Sequence, residues 1–236
     1  NADKKRTREI LKYIIDNQGK TTFHFEICGD LLDKNIIDLL KDVPEDLFRF
    51  EIGVQSTHKQ TLNAVNRKMD FPRLQENVKK LKKKDNINLH LDLIAGLPYE
   101  NFNLFKKSFN QVYNLKPHEL QLGFLKLLKG TKIRKESGNY NYKFTEDPPY
   151  EVLENDFIKY EELLILKGVD FIIKKYHNSG VFIKSINFVL SNFYNSSFHF
   201  FEDLYKYFEV NNEARFEELE TPCLSFKLNV KVGFDD

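Results

Sequence analysis

Apolar residues in the first half of the chain recur at two periods. Phe23, Phe25 and Ile27 alternate with His24, Glu26 and Cys28, the two-residue period of a strand. The same alternation returns three times. Phe50, Ile52 and Val54 face away from Glu51, Gly53 and Gln55; Leu89, Leu91 and Leu93 from His90, Asp92 and Ile94; Leu120, Leu122 and Phe124 from Gln121, Gly123 and Leu125. Helical spacing fills the intervals. It predicts helices over residues 3–17, closed by Gly19, and from an Asp30 cap through Leu40 towards Pro44. Further helices are predicted over 59–67, over 70–84 with Asp70 as cap, and over 101–115. Strand and helix thus alternate with short connections, as in βα units that build a parallel sheet or barrel with right-handed crossovers.

After Gly130 the pattern changes. Residues 138–150 read as a loop with Pro148–Pro149, and 151–176 as one long helix with Gly168 as a place to kink. Residues 181–193 and 198–208 read as two more helices. Leu224, Phe226, Leu228 and Val230 alternate like a final strand within 223–232. The division expected is a (βα) part over residues 1–135 and a mainly helical part over 136–236.

The strands' second faces carry the chemistry. A parallel sheet is normally apolar on both sides. Here the face opposite the apolar one holds His24, Glu26, Glu51, Gln55, His90, Asp92 and Gln121. Burying these groups without partners would cost a few kcal/mol each, on the order of the desolvation of any polar group. The face is therefore wet or meets a polar ligand, which suits a wide barrel with a polar lumen rather than a packed one. Ligands in such folds sit at the C-terminal ends of the strands, which singles out Glu26, Gln55, Asp92 and Lys126.

Composition narrows the class. Lys and Arg total 36 against 35 Asp and Glu, so a formal charge of +1 gives no global field for nucleic acid or anionic membrane. The basic run Lys79 to Lys84 falls at the end of a predicted helix, where lysines complement the dipole. Two cysteines, Cys28 and Cys223, imply no disulfide framework and suit a reduced, cytoplasmic setting. No apolar run reaches the length of a membrane span. His58, His118, His177 and His199 are scattered and suggest packing rather than a ligand set.

Glu51–Ile52–Gly53–Val54–Gln55–Ser56, then Leu62 and Val65–Asn66–Arg67, resembles the GVQS…L…NR signature of radical S-adenosylmethionine (radical SAM) enzymes. The subgroup it is most similar to includes the oxygen-independent coproporphyrinogen oxidases and cobalamin-binding-type members. His90 to Glu100, HLDLIAGLPYE, is similar to their DLIxGLPxE segment, and the stretch after Tyr142 resembles the helical C-terminal extension of a cobalamin-associated subgroup. The resemblance implies a partial (βα) barrel followed by helices. It implies that Glu26, Gln55, Arg67 and Asp92 contact SAM, with Ile94 and Gly96 where adenine packs. A guanidinium suits the methionyl carboxylate, carboxylates suit ribose hydroxyls or the ammonium, and an amide both donates and accepts. The implied activity is reductive cleavage of SAM to start radical chemistry on an unknown small molecule. The implied cofactors are SAM, a [4Fe–4S] cluster and, in the parent protein, cobalamin.

The chain departs from the family in one respect. The CxxxCxxC loop that holds the cluster is absent from the sequence, and two distant cysteines cannot replace it. The expectation is a C-terminal part of a six-stranded barrel, inactive alone, with an open strand edge through which an isolated chain would dimerise. The alternative is a degenerate barrel that binds a ligand or partner without catalysis. An acid–base barrel using Glu26 and Asp92 lacks a nucleophile or metal set.

Overall fold

The computed structural model describes residues 1–212, so the alternating segment 223–232 lies outside the described residues. The chain begins with helix α1 (Lys4–Asp16), whose first turn is closed by the Asp3 carboxylate accepting the Arg6 N–H at 3.0 Å. Strands β1 (Phe23–Ile27), β2 (Phe48–Gln55), β3 (Asn88–Ala95) and β4 (Glu119–Phe124) lie side by side in chain order, all parallel. Helix α2 (Lys34–Leu40) connects the first pair. Helices α3 (Lys59–Ala64) and α4 (Phe71–Lys82) connect the second, and α5 (Phe102–Tyr113) the third. The result is an α/β sheet, a partial (βα) barrel wall.

The apolar alternation builds the outer face of this wall. Phe48, Phe50, Ile52 and Val54 of β2 and Leu89, Leu91 and Leu93 of β3 are buried. They share a core with Ile36 and Leu40 of α2, Leu74 and Val78 of α4, and Phe105 and Phe109 of α5. Each such side chain contributes about 1.5–3 kcal/mol on leaving water. Phe25 of β1 meets Phe48 and Phe50 at ring separations of 6.0 and 6.3 Å, which ties the edge strand into that core.

Helix α2 is capped by Asp33, whose carboxylate accepts the Ile36 N–H at 2.9 Å, and not by Asp30. Residues Gly29–Leu31 form a 3-10 turn first. A Cβ at Gly29 would lie 3.0 Å from Ile52 and 3.2 Å from Leu74, so the backbone hugs the sheet before the helix can start. The Asp30 carboxylate instead accepts the Asp70 N–H at 3.1 Å, and Asp70 caps α4 as its position predicts.

The predicted long helix over 151–176 is broken into three parts. The backbone of Tyr150 and Val152 is claimed by the chain leaving β4: Leu127 N–H donates to Tyr150 O and Val152 N–H to Leu125 O, each at 2.9 Å. Residues Val152–Glu154 (β6) pair antiparallel with Lys143–Phe144 (β5), after the short helix α6 (Lys132–Lys135). Helix α7 therefore begins only at Tyr160 and runs to Ile172. It passes Gly168 without a break, and the irregularity is a π turn at Ile173–His177. Helices α8 (Ile183–Phe193) and α9 (Ser197–Asn212) follow.

The helical part also stoppers one sheet edge. The Asn178 amide accepts the Leu120 N–H and donates to Leu120 O, both at 3.0 Å, as a neighbouring strand would. Asp170 accepts the Leu122 N–H at 3.4 Å. At the other edge, β1 has no neighbouring strand among the described residues. Only its exit is met, by the Asn1 amide bonded to the Cys28 N–H and C=O at 3.0 and 2.9 Å.

Gly168 is fixed by α9, not by a kink. A Cβ there would overlap the Tyr205 ring. Gly168→Ala is expected to lower stability by roughly 1–3 kcal/mol despite alanine's better helix propensity. Denaturant unfolding checks this, and Tyr205→Ala in the same chain should recover part of the loss.

Candidate active site

The polar face of the sheet is arranged in cross-strand rows. Glu26 lies opposite Glu51, Glu51 opposite His90, and His90 opposite Glu119. One row nearer the strand ends, Gly53 lies opposite Asp92 and Asp92 opposite Gln121.

The deeper groups find partners within the wall. His24 Nε2 lies 2.9 Å from Glu51 Oε2, and Arg49 pairs with Glu119. Arg49 Nε and Asn88 Oδ1 are the atoms left over at that end. Towards the C-terminal ends the pairing fails. His90 Nε2 and Asp92 Oδ1 are 3.0 Å apart, close enough to attract, yet neither is aligned for a hydrogen bond and both are buried. The Asp92 carboxylate raises the His90 pKa above its usual value, against burial, which lowers it.

Gln55 and Arg67 converge on Gly53. Arg67 leaves the α3–α4 connection after Asn66, whose φ of 56° ends the helix, and its guanidinium donates to Gly53 O. Its Nε is buried without a partner. The Gln55 amide folds over Gly53 on the same side. A Cβ at Gly53 would overlap that amide and lie 3.3 Å from Arg67 Nη2, so glycine provides the space both side chains share. The strand register slips between Gly53 and Gln55. Gln55 itself has φ 69°, and the Ser56 N–H reaches back to Val54 O at 2.9 Å. This is a γ-turn with positive φ, a conformation that costs about 1–3 kcal/mol in a residue other than glycine.

The other predicted positions lie along the same rim. Glu26 is exposed on β1 with no side-chain partner among the described residues. Ile94 is half-buried, two residues beyond Asp92, and opposite Gly123. Gly96, φ 90°, turns the chain out of β3, and its carbonyl accepts from Tyr142 Oη and Asn155 Nδ2, both at 2.9 Å. Lys126 is exposed just past β4, its backbone bridged to Glu151. The structure thus gathers Gln55, Arg67 and Asp92 around Gly53, with Ile94 and Gly96 following along β3. Glu26 stands on the flanking strand β1 and Lys126 just past β4.

One interaction escaped the sequence reading, although Ser56 and Glu100 both lie in the motif segments. Glu100 is 1% exposed, and its Oε1 accepts the Ser56 and Ser108 hydroxyls at 2.6 and 2.8 Å. Ser108 Oγ also accepts the Thr57 N–H at 3.1 Å, and Ser56 Oγ the His58 N–H at 2.9 Å. Burial pushes the Glu100 carboxyl up to about 7, with the two hydroxyls opposing the shift. Ser56 and Glu100 are 44 residues apart, and no local pattern pairs them.

Comparison with known proteins places the chain. The model of the radical SAM superfamily matches residues 1–112. That match covers just under half of the chain, whose N-terminal part is thus similar to the radical SAM superfamily. Residues 138–221 match a family described as a protein of unknown function, DUF4080. The uncharacterised protein YtqA of Bacillus subtilis is 30% identical over 128 residues, covering 54% of this chain and 39% of that protein. The uncharacterised protein MJ0486 of Methanocaldococcus jannaschii is 26% identical over 161 residues, 67% of this chain and 50% of that protein. The chain thus spans half the length or less of these relatives. Among solved structures, the coproporphyrinogen III oxidase of Escherichia coli, a radical SAM enzyme, is 22% identical over 51% of this chain and 28% of its own, with a TM-score of 0.43. The radical SAM methyltransferase TsrM of Kitasatospora setae is 12% identical over 52% and 25%, with a TM-score of 0.45.

The radical SAM family implies SAM and a [4Fe–4S] cluster. The residues present do not fit the cluster. The whole sequence has two cysteines, and no group of three His, Cys, Asp or Glu converges among the described residues. They do fit SAM's polar atoms, since at the strand ends Arg67 Nε is buried without a partner and Asp92 Oδ1 meets only the unaligned His90 ring. No helix among the described residues is long and apolar enough to cross a membrane.

Glu100 gives the site a pH signature. Its folded pKa lies above the ordinary glutamate value of 4.5, so the folded state holds the extra proton. Its stabilising contribution is complete below about pH 4.5 and is lost as pH rises through about 7, some 3 kcal/mol in all. His177, which burial depresses to about 4, works in the opposite sense as pH rises towards 6.5. The wild type minus Glu100→Gln difference in unfolding free energy isolates the first effect. It is expected to fall steadily between pH 5 and 7.5, and a flat difference would assign Glu100 an ordinary pKa.

Proposed function

We propose that this chain supplies the SAM-holding strand ends of a radical SAM enzyme. In that enzyme the cluster thiolates come from residues other than those of this chain. The observation that supports the reading is the convergence of Gln55, Arg67 and Asp92 on Gly53 at the strand ends. There Arg67 Nε is buried without a partner, and Asp92 Oδ1 meets only the unaligned His90 ring, 3.0 Å away. A buried acceptor on β3 and a buried donor that reaches the neighbouring Gly53 suit a zwitterion. In this reading Arg67 holds the methionyl carboxylate, and Asp92 and Glu26 hold ribose hydroxyls or the ammonium. Gln55 bridges between them, Ile94 and Gly96 pack on adenine, and Lys126 closes the rim.

SAM at a reduced cluster supplies reductive cleavage of a carbon–sulfur bond. What this chain contributes is orientation of SAM and exclusion of water from it. The sheet edges agree with a barrel completed elsewhere. Side chains from the helical part occupy the outer edge of β4, so further strands add at β1. The units proposed are a barrel part over residues 1–135 and a mainly helical part from 136 onward, which reaches the rim through Tyr142 and Asn155.

Equilibrium dialysis of SAM against the intact protein tests this. Arg67→Ala and Asp92→Ala are each expected to weaken binding by about tenfold or more, the scale of a lost charge-assisted hydrogen bond. Glu119→Gln, within a pair deeper in the wall, should change it less than about threefold. Equal losses at all three positions would count against a ligand at the strand ends.

A further inference from the structure

Gln55 reaches the lumen only because the chain leaves β2 through a positive-φ turn, and such a turn persists only where its surroundings hold it. The holding contacts are specific. Ser56, the residue that closes the turn, is fully buried, and its hydroxyl donates to Glu100 Oε1 at 2.6 Å. Glu100 sits at the entry of α5, where Asn101 accepts the Leu104 N–H at 2.9 Å and fixes the helix start. Ser108, a turn and a half into that helix, donates to the same carboxylate oxygen and also touches Thr57 through the N–H at 3.1 Å and the hydroxyl at 3.0 Å. The residues after β2 are therefore tied to the exit of β3 by one buried carboxyl. That exit carries Ile94 and Gly96.

We propose that Glu100 is a positioning residue for SAM: through Ser56 it locks the turn that aims Gln55 at the ligand, in register with Asp92 and the end of β3. Glu100 does not touch the ligand. Its Oε2 is buried and unpaired, which a side chain serving packing alone would not require. An apolar residue in the same space would leave the buried Ser56 and Ser108 hydroxyls without this acceptor. The inference rests on the reading of the strand ends as a SAM site.

The test compares SAM affinity, by equilibrium dialysis on the intact protein, for Gln55→Ala, Ser56→Ala, Glu100→Leu and Glu100→Gln. Gly168→Ala serves as a destabilised control outside the site. Gln55→Ala, Ser56→Ala and Glu100→Leu should each weaken binding about tenfold. Glu100→Gln, which keeps an acceptor oxygen for both hydroxyls, should restore affinity to within about threefold of wild type. Gly168→Ala should bind as wild type does although it unfolds more easily. Wild-type affinity in Gln55→Ala would overturn the contact at Gln55 and this inference with it. A loss in Gln55→Ala with wild-type affinity in Glu100→Leu would overturn the lock and leave the SAM site standing. A Gly168→Ala loss equal to that of Glu100→Leu would reduce Glu100 to a stability residue.

Discussion

Every buried polar group on the inner face of the sheet must find a partner, and this requirement organises the rest of the molecule. Hydrocarbon on the outer face drives helices α2, α4 and α5 against the strands. It leaves a second face that no helix could cover without heavy desolvation cost. Near the strands' N-terminal ends the wall pairs its charges internally, His24 on Glu51 and Arg49 on Glu119, and leaves Arg49 Nε and Asn88 Oδ1 over. At the C-terminal ends Arg67 Nε and Asp92 Oδ1 lack hydrogen bonds. There the backbone also bends: Gln55 takes a positive φ, the register slips beside Gly53, and Gly96 turns the chain outward. Strain and unsatisfied atoms coincide where a ligand would supply the missing contacts.

The same requirement explains the helical part. Its side chains complete the backbone bonding of the last strand and its exit. Asn178 and Asp170 serve the edge of β4, and Tyr142 and Asn155 share the Gly96 carbonyl. This part is thus hydrogen-bonded to the sheet at its edge and at the rim of the candidate site. The described part of the segment matching DUF4080 is joined to the sheet through polar side chains as well as hydrocarbon.

Much of this was legible in the sequence. Two-residue alternation located all four strands and both faces, because a half-polar sheet writes its period plainly. Gln55 and Asp92 followed from the polar face and the strand ends, Arg67 from motif resemblance, and the structure gathers all three around Gly53. The shift of the α2 cap from Asp30 to Asp33 was not legible, since it depends on Gly29 packing under Ile52 and Leu74. Nor was the break in the segment 151–176. Its helical periodicity is real from Tyr160 onward, but Tyr150 and Val152 are recruited by β4, a contact no local pattern records. The role of Glu100 stayed hidden for the same reason. Glu100 and Ser56 each close a segment that resembles a family motif, but their pairing with each other and with Ser108 joins two different connections.

The central claim is that the strand ends hold SAM through atoms the wall leaves unpaired. A crystal structure of the intact protein, grown without oxygen and loaded with SAM, tests it most directly. The account predicts SAM polar atoms within hydrogen-bond distance of Asp92 Oδ1 and Arg67 Nε, with the His24–Glu51 and Arg49–Glu119 pairs intact. SAM bound away from Gly53, or bound only after those deeper pairs open, would contradict it.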